Sequence, residues 1–416
     1  AVGENSMNAN TTGPSNTAVG ANSLDANTTG THNTAIGRAA IGVNTTGGYN
    51  VAVGALALDA NTTASSNTAV GYGTLSANTT GASNVAIGNS ALLVNTTGAS
   101  NVAVGSLSLD ANIGGANNTA VGTSALGLNT TGYYGTAIGS NSLDANTTGN
   151  LNTAVGFGSL GANTTASYNT AIGYNSLLTN TTGPSNVAVG ALALDANTTA
   201  GYCTAVGTAA LGANTSGASN VAVGYAALDA NTTGYNNTAI GSNAMSALVS
   251  QVANTAVGFN ALLVATNYSN TAVGENAMAA LTTGANNTSI GRLSLSKGTT
   301  GNNNTAIGYD SLVASTTGAQ NVALGMYAGQ TLTTGAYNVF IGYNSLPSAV
   351  GVNGEIVIGT SGMTAKGAST GFISPGNGPV YQGNNSTAWT ATSDRRIKKD
   401  IVPNTKGLAA IVQIEP

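Results

Sequence analysis

Small or β-branched apolar residues alternate with polar ones in bursts of four along this chain, and each burst ends in glycine. Asn16-Thr17-Ala18-Val19 precedes Gly20, and Asn84-Val85-Ala86-Ile87 precedes Gly88. A period of 2 predicts a short β-strand, with Thr17 and Val19 on one side and Asn16 and Ala18 on the other. The Thr17 position alternates with Val51, Val85, Val102, Val187 and Val221, as expected of a half-buried β-branched site. Four residues past each glycine stands a large aliphatic side chain: Met7, Leu24, Ile41, Leu58, Leu75, Leu92 and onward to Leu312, with Gly329 the exception. The Val19-type residue and this aliphatic are the only sizeable apolar content of each unit, so both are expected to face the inside of a thin coil. The Asn-Thr-Thr-Gly that follows is turn chemistry, its glycine free to take positive φ.

The glycines form a ruler. From Gly3 through Gly20 and Gly37 to Gly258 they fall at a constant interval of seventeen; the step to Gly274 is one shorter; the original interval then resumes to Gly359, giving 22 anchors. Such a unit is too short for a βαβ motif or a propeller blade, and it suits one turn of an all-β solenoid with two short strands and two corners. Coils stacked at about 4.8 Å would make a rod roughly 100 Å long, with backbone hydrogen bonds running along its axis.

Stacking converts repeated residues into columns. Asparagine stands four before the glycine in 18 of the 20 coils from Asn16 to Asn338, interrupted by Gly135 and Cys203. A second asparagine, seven after the glycine, fills fourteen successive coils from Asn10 to Asn231 and then disappears. Stacked amides can hydrogen-bond along an axis. Thirteen of these fourteen are also Asn-x-Thr/Ser sequons. Glycans on successive coils would collide, so the ladder reading is preferred over glycosylation. Asp25, Asp59, Asp110, Asp144, Asp195 and Asp229 sit five after the glycine and never in adjacent coils. That spacing avoids like charges about 5 Å apart and predicts a solvated face rather than a calcium roll.

Composition narrows the function classes. Only 5% of residues are charged, against about 25% in ordinary globular domains, while 42% are hydrophobic, which argues against a solvated disordered chain. A net charge of −4 excludes a nucleic-acid binder working by phosphate neutralisation. One cysteine and one histidine leave no cysteine- or histidine-based metal site, no cofactor is indicated, and no apolar run approaches the length of a membrane span. The acid pairs of a hydrolase are missing. Ten of the fifteen tyrosines fall on two tracks, Tyr72, Tyr174, Tyr225, Tyr309 and Tyr343 directly after the glycine, and Tyr49, Tyr134, Tyr168, Tyr202 and Tyr337 twelve after it. Both tracks lie near corners and are expected to point outward. Cys203 reads as a small residue tolerated in the ladder, and His32 as a corner residue with no recognisable partner. Adjacent Thr28 and Thr29 would point to opposite sides of a strand, so a flat hydroxyl grid of the ice-binding kind is not evident.

The C-terminal segment differs. Twelve charged residues precede position 355, and ten fall in the last 62. The repeat decays after Gly359 through Gly-, Ser- and Pro-containing sequence, and then comes Trp389-Thr390-Ala391-Thr392-Ser393-Asp394-Arg395-Arg396-Ile397-Lys398-Lys399-Asp400-Ile401. This run resembles the opening of the endosialidase-type intramolecular chaperone domain, also called the peptidase S74 domain, found at the C-terminus of trimeric phage tail fibres and tailspikes. The resemblance covers residues 389–416, and the family domain is several times longer. It implies assembly of a homotrimer and self-cleavage of the Thr392–Ser393 bond, with Ser393 as nucleophile and Lys398 as base; a serine hydroxyl needs such a base, and lysine serves when its pKa is lowered. More loosely, Asn84-Val85-Ala86-Ile87-Gly88 is similar to the repeats in the β-roll heads of trimeric autotransporter adhesins, whose period is shorter.

The expected organisation is a solenoid shaft over 1–359, a linker and strand region over 360–388, and a truncated chaperone start over 389–416, together a fragment of a longer gene product. Identical coils let one chain slip by a whole coil against another at little cost, so a trimer of such chains needs a register-setting end. The expected function is mechanical: a virion tail-fibre shaft in host attachment, its partners two further copies of itself and a host cell-surface receptor, carbohydrate among the candidates. A bacterial surface adhesin and an ice-binding solenoid are the alternatives.

Overall fold

A computed structural model describes residues 1–374, 380–383 and 390–391. It shows an all-β solenoid of about 21 turns, with no helix among the described residues. Twenty-two strands, from β1 (Thr17–Val19) and β2 (Thr34–Ile36) to β21 (Ile356–Gly359) and β22 (Gly371–Ser374), pair in parallel in one sheet. β23 (Val380–Gln382) and β24 (Thr390–Ala391) extend it antiparallel. Pairing is in register, Thr17 on Thr34, Ala18 on Ala35 and Val19 on Ile36, so each position of the repeat becomes a column.

Each coil carries one strand, of three residues through β20 and four in β21 and β22, not the two strands expected. The remaining residues are turns, yet they are bonded coil to coil like a sheet: Leu24 N–H donates to Ala40 O, Ala26 N–H to Gly42 O and Thr28 N–H to Thr45 O. A second regular strand is absent because left-handed residues interrupt the backbone. Asn22, Leu24 and His32 all have φ between +52° and +57°, and the same columns repeat this in nearly every coil. Each such residue costs about 1–2 kcal/mol, which axial hydrogen bonds and burial must offset.

The anchor glycine is explained twice over. Gly20 has φ +130°, open to glycine alone, and a Cβ there would lie 2.6 Å from the Gly37 carbonyl oxygen of the next coil. Anchor is stacked on anchor with no space between, which fixes the ruler. The glycine of Asn-Thr-Thr-Gly does not take positive φ as expected: Gly30 lies outside that region. It stays small because a Cβ would meet the Asn27 Oδ1 and the Gly47 carbonyl.

The interior holds Leu24 and its column, fully buried, against Ala18 and its column. The expectation that Val19 faces inward is overturned. Val19 is 41% exposed and Ala18 is 1% exposed. The bore is so narrow that alanine is all that fits opposite leucine, and the larger β-branched side chain turns outward. Where leucine is missing the rule inverts. At Gly329 a Cβ would sit 2.8 Å from Phe340, which replaces the interior alanine in β20 (Val339–Ile341) and is completely buried. The small and large residues have exchanged places.

The shortened step before Gly274 is absorbed at a corner. β15 (Thr255–Val257) and β16 (Thr271–Val273) remain in register, while Asn267 staples the shortened turn through its Nδ2 to Thr283 O, 2.7 Å.

Candidate functional site

Both asparagine columns are buried and wired, by different means. In the column of Asn16, the backbone N–H of each next asparagine donates to the Oδ1 below it: Asn33 to Asn16 at 2.8 Å, Asn50 to Asn33 at 2.9 Å. In the column of Asn27 the amides bond directly, Asn44 Nδ2 to Asn27 Oδ1 at 2.8 Å and Asn61 Nδ2 to Asn44 Oδ1 at 2.9 Å. The carbonyl of Gly47 joins the two, accepting from Asn33 Nδ2 and Asn44 Nδ2, each at 2.9 Å. The sequon asparagines are therefore structural, their amides enclosed and already donating. Cys203 keeps the first ladder going: its N–H donates to Asn186 Oδ1 at 2.9 Å, and its Sγ takes the Nδ2 role toward Gly217 O at 3.3 Å. Burial pushes its thiol pKa up. At the far end Glu355 takes the ladder position; its N–H donates to Asn338 Oδ1, and its enclosed carboxylate accepts from the Ser348 N–H and Oγ–H and the Gly367 N–H.

The outer surface carries whatever could meet a partner. The Val19 column is one continuous apolar stripe, including Ile36, Ile87, Ile138, Ile172 and Ile240, each 40–42% exposed. Beside it on the same face runs the half-buried Thr/Val column of Thr17. Thr28 lies elsewhere, and its hydroxyl is committed to the next coil, donating to Thr45 O at 3.0 Å.

Both tyrosine tracks point outward, with Tyr309 half-buried in a cluster that runs through Tyr327 to Tyr343. Arg292 pairs with Glu275 at 3.3 Å and lies over Tyr309. His32 does have a partner, against expectation. It stacks on Tyr49 one coil away, ring centroids 4.9 Å apart and nearly parallel. Coil stacking brings together side chains a full repeat apart in the chain, which no local motif links.

The aspartates are half-buried rather than fully solvated, and burial holds Asp59, Asp110, Asp144, Asp195 and Asp229 above the usual carboxylate range. They straddle glycine. A Cβ at Gly127 would lie 2.6 Å from Asp144 Oδ1 and 3.5 Å from Asp110 Oδ1, so both carboxylates lean over the coil between them.

One cleft of about 490 Å³ opens on this side, its walls formed by Asn141 and Asp144 on one coil and Asn175 on another. Its floor is the intervening coil, where Gly158 and Gly161 contribute no side chain and Phe157 stands beside them. Two glycines two and five past one anchor are the sequence signal for this gap.

The expected self-cleavage residues, Thr392, Ser393 and Lys398, lie outside the described residues. No protein-family model matches the chain, and neither does any curated protein or solved structure.

Proposed function

We propose that the chain is the shaft of a surface-attachment fibre that works as a homotrimer, with a phage tail fibre as the best-fitting kind. The carrying observation is the outward Val/Ile column. A rod of Gly, Ala and Asn has little apolar side chain to spare, yet one aliphatic residue per coil is turned to solvent on one face of the in-register sheet. Covering each would contribute roughly 1 kcal/mol, repeated along the rod. A face so repetitive has no intrinsic register, which gives a C-terminal assembly segment of the kind resembled by residues 389–416 a physical purpose. Sedimentation equilibrium tests it: the mass should be that of three chains. Lysine at Ile138, Val155 and Ile172 should yield monomers that keep their β-type circular dichroism. A wild-type monomer would refute the trimer. In the full-length gene product, Ser393→Ala should abolish release of the C-terminal piece; unchanged processing would remove Ser393 as nucleophile.

The same face supports a second reading, ice binding, because threonine and valine or isoleucine columns stand side by side at coil spacing. Thermal hysteresis of the purified rod separates the two readings, since a face buried in a trimer is closed to ice.

A further inference from the structure

We propose that the cleft floored by Gly158 and Gly161 binds a single pyranose unit of a surface carbohydrate. The ligand class rests on the surface-attachment reading above; the place and the chemistry come from the cleft. Phe157 and Tyr174, in successive coils, stack with centroids 5.8 Å apart and planes within 13°. Tyr174 covers one face of Phe157. In the same column of the preceding coil stands Ser140, too small to cover the other, and Phe157 is 51% exposed. A flat uncovered ring accepts the C–H face of a sugar. Asp144, Asn141 and Asn175 line the same space, and among the described residues their side chains make no hydrogen bond or ion pair. A carboxylate acceptor flanked by two amides matches the mixed donor–acceptor pattern of vicinal hydroxyls. No cation lines the cleft, which disfavours a phosphate. Its lining is mainly apolar, with Phe157, Ala162 and Leu178, and is edged by one carboxylate and two amides, a mixture that suits the C–H face and hydroxyls of a sugar better than a purely aliphatic ligand.

The cleft is specific to one place in the rod. The aspartate pattern recurs every five coils, at Asp25, Asp110 and Asp195 and again at Asp59, Asp144 and Asp229. The coil at the matching place in each block has Tyr72-Gly73 with Ser76, Phe157-Gly158 with Gly161, and Ser242-Asn243 with Ser246, counted from anchors Gly71, Gly156 and Gly241. The middle block alone combines an aromatic ring with glycine at both floor positions.

Gly161 is outside the left-handed region, and Asp144 and Leu178 occupy the same column, so a side chain there needs only a small shift away from the Gly158 carbonyl oxygen, which would lie 3.1 Å from its Cβ. Gly161→Leu therefore fills the cleft, and Phe157→Ala removes its platform by an independent route. Ser76→Leu in the earlier block is the control. Saturation-transfer NMR and calorimetric titration of the full chain should use methyl glycosides of glucose, galactose, mannose, rhamnose and N-acetylglucosamine. At least one should bind, with saturation transfer strongest at ring C–H protons. Phe157→Ala and Gly161→Leu should each weaken binding by about tenfold or more, and Ser76→Leu should leave it unchanged, with circular dichroism the same for all. Absence of binding by every glycoside at millimolar concentration overturns the proposal, and so does binding that survives both cleft variants. Either result leaves the trimer mass untouched, so failure here is distinguishable from failure of the fibre reading.

Discussion

The column seven residues past the anchor is built in two ways along the same rod. Up to Asn231 it is an unbroken stack of amides; beyond it the position holds Leu248, Ala265, Leu281, Gly298, Ser315 and Leu332, all buried and, Ser315 apart, without a polar side chain. The backbone coil hardly changes at the junction, and the strands stay in register across it. The difference lies in what each column demands. An apolar column is judged by volume, so volume can be traded between positions, as Gly329 and Phe340 show. An amide column is judged by pairing, and pairing cannot be traded. Its cost appears where it stops: Asn231 Oδ1 is buried with no donor, because Leu248 above it has none to offer.

Four measurements break or sharpen that contrast. The largest effect belongs to the volume trade. Phe340→Ala should cost about 3–5 kcal/mol through the cavity left behind, and Gly329→Leu alone about 1–3 kcal/mol through overpacking. The double variant restores the leucine–alanine pairing of the other coils and should recover most of the loss. Amide-exchange protection around β20 reads this locally, since a repeat rod does not unfold as one unit. Additive losses in the double variant would contradict the exchange.

Next comes the middle of the amide column. Asn129→Leu removes two bonds donated by its Nδ2 and the one it accepts from Asn146 Nδ2, and it creates two ladder ends at once. A loss of about 3 kcal/mol is expected in the protection of the flanking coils. Asn231→Leu is the sharper comparison. It removes the orphaned Oδ1 and moves the single end back to Asn214, so it should cost under about 1 kcal/mol. Equal losses at positions 129 and 231 would show that continuity of the ladder does not matter.

The smallest effect is electrostatic. Burial raises Asp195 and Asp229, and for Asp195 the second carboxylate across Gly212 adds to the shift. The folded state therefore holds these protons more tightly than the unfolded one. The resulting stabilisation is complete below the ordinary carboxylate pKa of about 4 and is lost as pH rises through the raised values. Melting curves should show the wild type losing more stability between about pH 4 and pH 7 than the Asp195→Asn/Asp229→Asn variant. An identical pH dependence would remove the coupling.

Much of this was legible in the chain. The spacing of Gly20 and its equivalents dictated one coil per anchor, because a glycine-only φ and a Cβ-free contact leave no substitute. The Leu24 column, the two amide ladders and the outward tyrosines also followed, since stacking turns any repeated residue into a column. The side on which Val19 lies did not follow. Alternation separates Val19 from Ala18 but does not say which side is inside; the diameter of the bore decides that, and it exists only once the coil has closed. The exchange between Gly329 and Phe340 and the stacking of His32 on Tyr49 were equally invisible, and of the cleft over Gly158 and Gly161 the chain showed the two glycines but not the walls on the neighbouring coils. Each joins residues of different coils, so it depends on distances across the axis that a one-dimensional period does not carry. Sequence determined the repeat and its columns through local sterics and pairing, and tertiary structure decided which column faces the core and which faces the world, because only closure sets how much space lies within.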